Sequence, residues 1–247
     1  MPEGPSIVIL REQAAKFRGR IIRAAGGNSK IDKAPLVGQR IASLRSFGKQ
    51  FLIETPIATL RIHLLMFGSY RIDERRPDRE ARLHLQFARG ELNFYSCSVR
   101  YLDAPPDELY DWRTDVMADA WSPRLALRRL RAQPHTLVCD ALLDQDIFAG
   151  VGNIIKNEVL FRIRVHPLST VAALPATKLR ELVREARQYS FDFLAWKKRF
   201  VLRKHWLVHN KGVCVRDGTR LTRAWLGERQ RRTFWCGHCQ RLYGVDR

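Results

Sequence analysis

The chain opens Met1-Pro2-Glu3-Gly4-Pro5, and this start is its first candidate for chemistry. A methionine followed by a small residue is ordinarily excised, and excision here would leave Pro2 with a secondary amine. Such an amine attacks a carbonyl-like carbon and forms an iminium, a covalent intermediate that acts as an electron sink. Glu3 stands beside it, a carboxylate able to give and take protons. A second candidate lies near the other end, where Cys214, Cys236 and Cys239 cluster and a metal is the natural explanation. Cys97 and Cys139 sit among apolar neighbours and read as buried packing residues. Five cysteines, an odd and sparse count, argue against a disulfide framework. A third candidate is Gly150-Val151-Gly152-Asn153 at the start of a helical stretch. Glycines there let backbone N–H groups approach a phosphate, and Asn153 adds a side-chain donor.

Composition sets the kind of partner these groups would meet. The 247 residues carry 44 Lys+Arg against 25 Asp+Glu, a formal net charge of +19, whose natural complement is a polyanion. From Lys197 to Arg232 the basic residues far outnumber Asp217 and Glu228, whereas 103–119 is acidic. A hydrophobic fraction of 45% excludes intrinsic disorder. No uncharged apolar run is long enough to span a bilayer, and the start lacks the basic and apolar segments of a secretory signal. A soluble, cytoplasmic protein is therefore expected.

The elements that would position the chemistry change character along the chain. Residues 6–17 place Ile7, Leu10, Ala14 and Phe17 near helical spacing, with Ser6 as the expected N-cap. From about 20 to 102 polar and apolar residues alternate, notably in 61–64, 82–87 and 91–95, with Arg89-Gly90 as a hairpin turn. The acidic, proline-bearing stretch that follows reads as a linker. Beyond it the period becomes helical. Two short helices are expected at 141–148 and 153–161, and a longer one after Pro175 with Leu179, Leu182, Val183, Ala186 and Tyr189 on its core face.

Taken in order, these motifs resemble the formamidopyrimidine-DNA glycosylase/endonuclease VIII family. The opening Met1-Pro2-Glu3-Gly4-Pro5 resembles the family's start, and Phe47-Gly48-Lys49 is similar to its lysine-bearing turn. His63-Leu64-Leu65-Met66-Phe67-Gly68 resembles the loop that fills the gap left by a flipped nucleotide. An enzyme acting on a base inside a duplex must extrude it, and apolar wedges such as Met66 and Phe67 suit the vacated stack. Ordinary strand-end packing is the other use for such a run. Gly150 to Asn153 resembles the helix-two-turn-helix element, and Arg231 matches a hairpin arginine that grips phosphate.

The resemblance implies an α+β protein: an N-terminal antiparallel β-sandwich with a leading helix over 1–105, a linker over 106–119, a helix-two-turn-helix domain over 120–208, and a zinc-ribbon-like β-hairpin over 209–247. Two departures stand out. The family's hairpin carries four cysteines, but here the first pair reads Cys214-Val215-Arg216-Asp217, so a structural zinc would be held by Cys214, Asp217, Cys236 and Cys239. His209 or His238 are alternative ligands. A metal-free hairpin standing on Trp225, Leu226, Phe234 and Trp235 is also open. The second departure is Ser6, where most relatives carry a glutamate near the reacting sugar.

The function so implied is base-excision repair by a bifunctional DNA glycosylase and AP lyase of the endonuclease VIII branch, which favours oxidised pyrimidines. Pro2, Glu3 and Lys49 would be catalytic, with no catalytic cofactor. Asn153, Arg231, Leu65, Met66 and Phe67 would hold damaged or abasic double-stranded DNA, and the protein would act as a monomer. Two rivals share the fold: a non-catalytic damaged-DNA-binding protein, and an AP lyase with little glycosylase activity.

Overall fold

The structure is a computed structural model and describes residues 2–244. Its helical start lies earlier than the sequence suggests: α1 spans Gly4–Ala14, followed by a 3-10 turn at Ala15–Phe17. Pro5 supplies the fixed φ of a first turn, and the Glu3 carbonyl accepts from the amides of Ser6 and Ile7 at 2.8 and 3.4 Å. Glu3 is thus the N-cap, and Ser6 lies inside the helix instead of capping it.

Eight strands follow: β1 (Ala24–Gly26), β2 (Ser43–Phe47), β3 (Gln50–Glu54), β4 (Thr59–His63), β5 (Ser69–Ile72), β6 (Leu83–Gln86), β7 (Glu91–Tyr95) and β8 (Ser98–Tyr101). They pair antiparallel in two four-stranded sheets, ordered β1-β6-β7-β5 and β2-β3-β4-β8. Alternation decides which face is buried. Phe51, Ile53, Leu60 and Ile62 of one sheet meet Leu83, Leu85, Leu92 and Phe94 of the other, with Ile7, Leu10 and Ala14 of α1 in the same core. The Phe51 and Phe94 rings stand 6.0 Å apart within this layer. The expected sandwich with a leading helix is present.

The chain divides into two units between Asp111 and Trp112. The stretch 106–119 is not a plain linker, because it holds the short helix α2 (Pro106–Leu109) and a 3-10 turn at Trp112–Thr114. The second unit contains α3 (Pro123–Arg131), α4 (Val138–Ala141), α5 (Asn153–Arg162), α6 (Ala176–Lys198) and the antiparallel hairpin β9 (Thr222–Leu226) and β10 (Arg231–Trp235). The expected helix over 141–148 does not form: α4 ends at Ala141 and a series of turns follows. Side chains there take the backbone's partners: Asp144 Oδ1 accepts from the Asp146 amide, and Gln145 Oε1 from the Gly150 amide.

Helix α5 is buried along nearly its whole length, polar residues included. Glu158, fully buried, accepts backbone N–H bonds from Leu207, Val208 and His209 at 2.8 to 3.1 Å. Asn157 donates to His209 Nδ1 at 3.1 Å and accepts from the Phe234 amide at 3.3 Å. The stripe Leu179, Leu182, Val183, Ala186 and Tyr189 of α6 packs against the apolar side of α5. Among the described residues no helix is long and apolar enough to cross a membrane.

Burial, reinforced by the positive charges of Lys156 and Arg232, pushes His209 down to about 4. The imidazole is therefore neutral at pH 7, and Nδ1 is the acceptor for Asn157. A base lowered on folding contributes stability above its unfolded value of about 6.5 and loses it as pH falls through the folded value. Urea titrations from pH 7 to pH 4 should show stability falling steeply in the wild type. The slope should be shallower in His209→Gln, which has no proton to take up.

Candidate nucleic-acid interface

In the first unit Lys49 and the loop 64–68 lie at one end of the sheet β2-β3-β4-β8. Gln50 pairs with His63, so the two-residue turn Gly48-Lys49 and the loop after β4 leave the sheet together. Phe47 stacks on Tyr110 at 4.4 Å, and the Tyr110 hydroxyl donates to Gln50 Oε1 at 2.6 Å, which anchors the lysine turn from both strands. Tyr110 is a supporting residue that no sequence motif marked. Burial, then the charges of Lys49 and Arg61, push the His63 imidazole below its ordinary value. That keeps it neutral, and its Nδ1 accepts from the Leu65 amide at 3.2 Å.

The loop 64–68 is built to display apolar groups. Leu64 is buried, whereas Leu65 and Met66 are half exposed and Phe67 is 84% exposed. The Gly68 amide closes the turn on the Leu64 carbonyl at 2.7 Å. A Cβ on Gly68 would lie 2.0 Å from that oxygen, so only glycine fits. Leu65 takes φ 53°, a left-handed conformation costly for a branched side chain. Leu65, Met66 and Phe67 are thus not strand-end core: a tight turn holds three apolar side chains largely outward.

At the chain start, Pro2 is half-buried and Glu3 wholly buried at the head of α1. Cys97 and Cys139 are buried as expected, and burial pushes both thiols up to about 11.

In the second unit, Asn153 is the first residue of α5 and is buried, its Nδ2 donating to the Arg232 carbonyl at 2.9 Å. Arg231 opens β10 opposite Leu226. Asn153 therefore ties the first residue of the helix to the hairpin strand.

The four tail residues come together. Cys214, Asp217, Cys236 and Cys239 offer ligand atoms that all lie within 4.8 Å of one another. The Cys214 and Cys239 sulfurs are 3.8 Å apart, and both cysteines are free thiols. This matches the edge of about 3.8 Å expected for a tetrahedron with zinc–sulfur bonds of about 2.3 Å. Thr219 donates its amide and hydroxyl to Asp217 Oδ1 at 3.0 and 2.7 Å, leaving Oδ2 facing Cys236 Sγ at 3.2 Å. Those Thr219 bonds hold the Asp217 carboxyl well below the usual range. Neither histidine replaces it: His209 is engaged by Asn157, and His238 contacts Asp217 Oδ2 from the exposed side. The apolar supports divide, with Phe234 and Trp235 buried and Trp225 65% exposed.

A helix-led β-sandwich followed by a helical unit with a cysteine hairpin is the fold of the formamidopyrimidine-DNA glycosylases. The Lactococcus lactis enzyme, solved non-covalently bound to DNA containing an AP site, superposes with a TM-score of 0.83 at 21% identity, over 96% of this chain and 99% of that one. Family models for the formamidopyrimidine-DNA glycosylase N-terminal domain and its H2TH domain match residues 1–100 and 114–189. Endonuclease 8 2 of Mycobacterium tuberculosis is 31% identical over 83% of this chain and 86% of its own length. Endonuclease 8-like 3 of Xenopus laevis is 32% identical over 89% of this chain, which spans 38% of that longer protein. The chain belongs to the formamidopyrimidine-DNA glycosylase/endonuclease VIII family, on its endonuclease VIII-like branch.

Gly68→Ala should lower the melting temperature by only a few degrees, because Leu64 alone of this loop belongs to the core. It should weaken binding to a duplex with an abasic site about tenfold or more, as read by fluorescence anisotropy. Unchanged binding would show that the turn's geometry does not present the wedge.

Proposed function

We propose that the protein is a base-excision repair DNA glycosylase with AP lyase activity, acting on duplex DNA that carries oxidised bases, chiefly pyrimidines, or abasic sites. The observation that carries this reading is the pair at the head of α1, a half-buried Pro2 beside a wholly buried Glu3, in a chain of this family. With Met1 removed, the Pro2 nitrogen attacks C1′ of the damaged nucleotide. The bond from C1′ to the base breaks, and its electrons leave with the base. Glu3 handles the proton shed by the nitrogen and the one taken up as the sugar ring opens at O4′, which yields the iminium. That electron sink acidifies C2′, so loss of a C2′ proton expels the 3′ phosphate. A second elimination expels the 5′ phosphate, and water then releases the protein, leaving a one-nucleotide gap.

Lys49 at its hairpin tip, Asn153 at the start of α5 and Arg231 on β10 supply cationic and donor groups for the phosphates around the extruded nucleotide. Leu65, Met66 and Phe67 fill the space it leaves. The reading takes the protein as a monomer, with affinity that falls steeply as salt rises.

Ser6 supports a variant of this reading. Among the described residues its buried hydroxyl has no hydrogen-bond partner, and it supplies no carboxylate. An AP lyase with weaker base removal fits that site.

Cys214, Asp217, Cys236 and Cys239 would hold a zinc ion whose role is structural, fixing the hairpin that carries Arg231. Metal analysis of protein purified with zinc should give about one zinc per chain, falling in Asp217→Ala. Asp217→Cys should retain zinc against a chelator longer than wild type. Zinc-free wild-type protein that melts as the zinc-treated sample does would count against the site.

Borohydride reduction in the presence of an oligonucleotide with one abasic site tests the chemistry, using protein shown by mass to begin at Pro2. A covalent adduct mapping to Pro2 is expected. Glu3→Gln should bind the same DNA within a few-fold of wild type and lose at least 100-fold in base release from an oxidised pyrimidine. Absence of the adduct from protein that binds the DNA would overturn the lyase reading in favour of a non-catalytic DNA-binding protein.

A further inference from the structure

The turn that precedes Arg231 is held from beneath by a carboxylate that no motif in the sequence marks. Asp140, on the short helix α4, is buried, and its Oδ2 accepts from the Glu228 amide at 3.0 Å. Gly227 beside it adopts φ 74°. A Cβ on Gly227 would lie 2.3 and 2.4 Å from the two Asp140 carboxylate oxygens. The glycine is thus required twice, for the left-handed backbone and for the close approach of the turn to the carboxylate. The turn closes on itself through the Gln230 amide, which donates to the Gly227 carbonyl at 3.1 Å.

Arg231 follows immediately, and the chain is seized again on its other side. Asn153 Nδ2 donates to the Arg232 carbonyl at 2.9 Å. Buried Lys156 donates to Thr233 Oγ1 at 2.7 Å, and that hydroxyl donates to the Arg231 carbonyl at 2.8 Å. The backbone of Arg231 is therefore fixed from Glu228 before it and from Arg232 and Thr233 after it. The first anchor comes from α4 and the others from α5, the helix that Asn153 itself begins. A backbone fixed before binding has less conformational freedom left to lose when its side chain meets a partner.

We propose that Asp140 is a positioning residue, setting the β9–β10 turn so that Arg231 stands in fixed register with Asn153 for the DNA phosphates. The proposal rests on the reading that Arg231 and Asn153 contact phosphate. Asp140 itself touches no DNA and moves no proton.

The test is binding to a duplex with an abasic site, by anisotropy, beside the single-turnover rate of borohydride trapping at saturating DNA. Asp140→Ala should raise the dissociation constant about tenfold and leave the trapping rate at saturation within about twofold. Asp140→Asn keeps an acceptor oxygen for the Glu228 amide and should bind within about twofold of wild type. Gly227→Ala, which drives a methyl group onto the carboxylate, should reproduce the loss in Asp140→Ala. The deciding arm is a double-mutant cycle with Arg231→Ala. If Asp140 works through Arg231, the double variant binds no more weakly than Arg231→Ala alone.

Three outcomes overturn the proposal: unchanged binding in Asp140→Ala, an Asp140→Asn variant as weak as Asp140→Ala, or losses that multiply in the double variant. If Asp140→Ala does not fold, Asp140→Asn and Gly227→Ala carry the comparison. Because anisotropy needs no chemistry, the arms remain readable even if wild-type protein forms no adduct. Arg231→Ala binding as tightly as wild type would instead strike at the phosphate-contact reading beneath the proposal, and the proposal would fall with it.

Discussion

The second unit depends on a helix with almost no face to water. Helix α5 spends its apolar residues on the core it shares with α6 and its polar ones on the backbone of distant segments. Glu158 collects the amides of residues 207–209, and Asn153, Lys156 and Asn157 hold the strand β10. Each buried amide left without an acceptor would cost about 1–3 kcal/mol, so these contacts are obligatory once the helix is enclosed. They also replace what a three-residue 207–209 segment and a two-stranded hairpin lack on their own, since an isolated hairpin is marginal in water. The hairpin borrows its order from α5.

The same logic holds around Asp217 and the three cysteines of the tail. Around the cluster, Thr219 fixes one Asp217 oxygen and leaves the other facing the sulfurs. Gln240 accepts from the Cys236 amide and donates to the Val165 carbonyl, which ties the second knuckle to the segment that follows α5. Phe161, Val208, Cys214, Leu221, Phe234 and Cys236 share one small apolar core. Geometry at the cluster is thus set by its surroundings as well as by the four residues themselves.

The first unit solves a different problem, that of keeping apolar groups in water. A β-sandwich core has no use for Phe67, and a loop free to collapse would cover it. The turn prevents this with a glycine that cannot be replaced and a leucine in a left-handed backbone. His63, kept neutral by burial and by its cationic neighbours, lends an acceptor to the strained residue. Local strain of this kind persists where the surrounding structure over-determines it, here the β4 strand end and its pairing to β3.

Much of this was legible in the residues themselves. Alternation announced β4, β6 and β7, and a helical stripe announced α6, because each period is a direct consequence of backbone geometry. The order of short motifs was enough to suggest the family, and the cysteine spacing with Asp217 marked four residues that the fold brings together. The helix start was misplaced because Ser6 looks like a cap, while Pro5 and the Glu3 carbonyl decide the first turn. The helix over 141–148 failed because Asp144 and Gln145 bond to nearby backbone, a competition that apolar spacing does not display. What the sequence by itself determined was therefore the periodic elements and the residue types of the site. Only the tertiary structure decided that Asp140 lies under Gly227, that Asn153 reaches Arg232, and that Tyr110 braces the lysine turn. Those contacts join residues 60 to 88 positions apart, and no local period records a meeting that exists only after the core has closed.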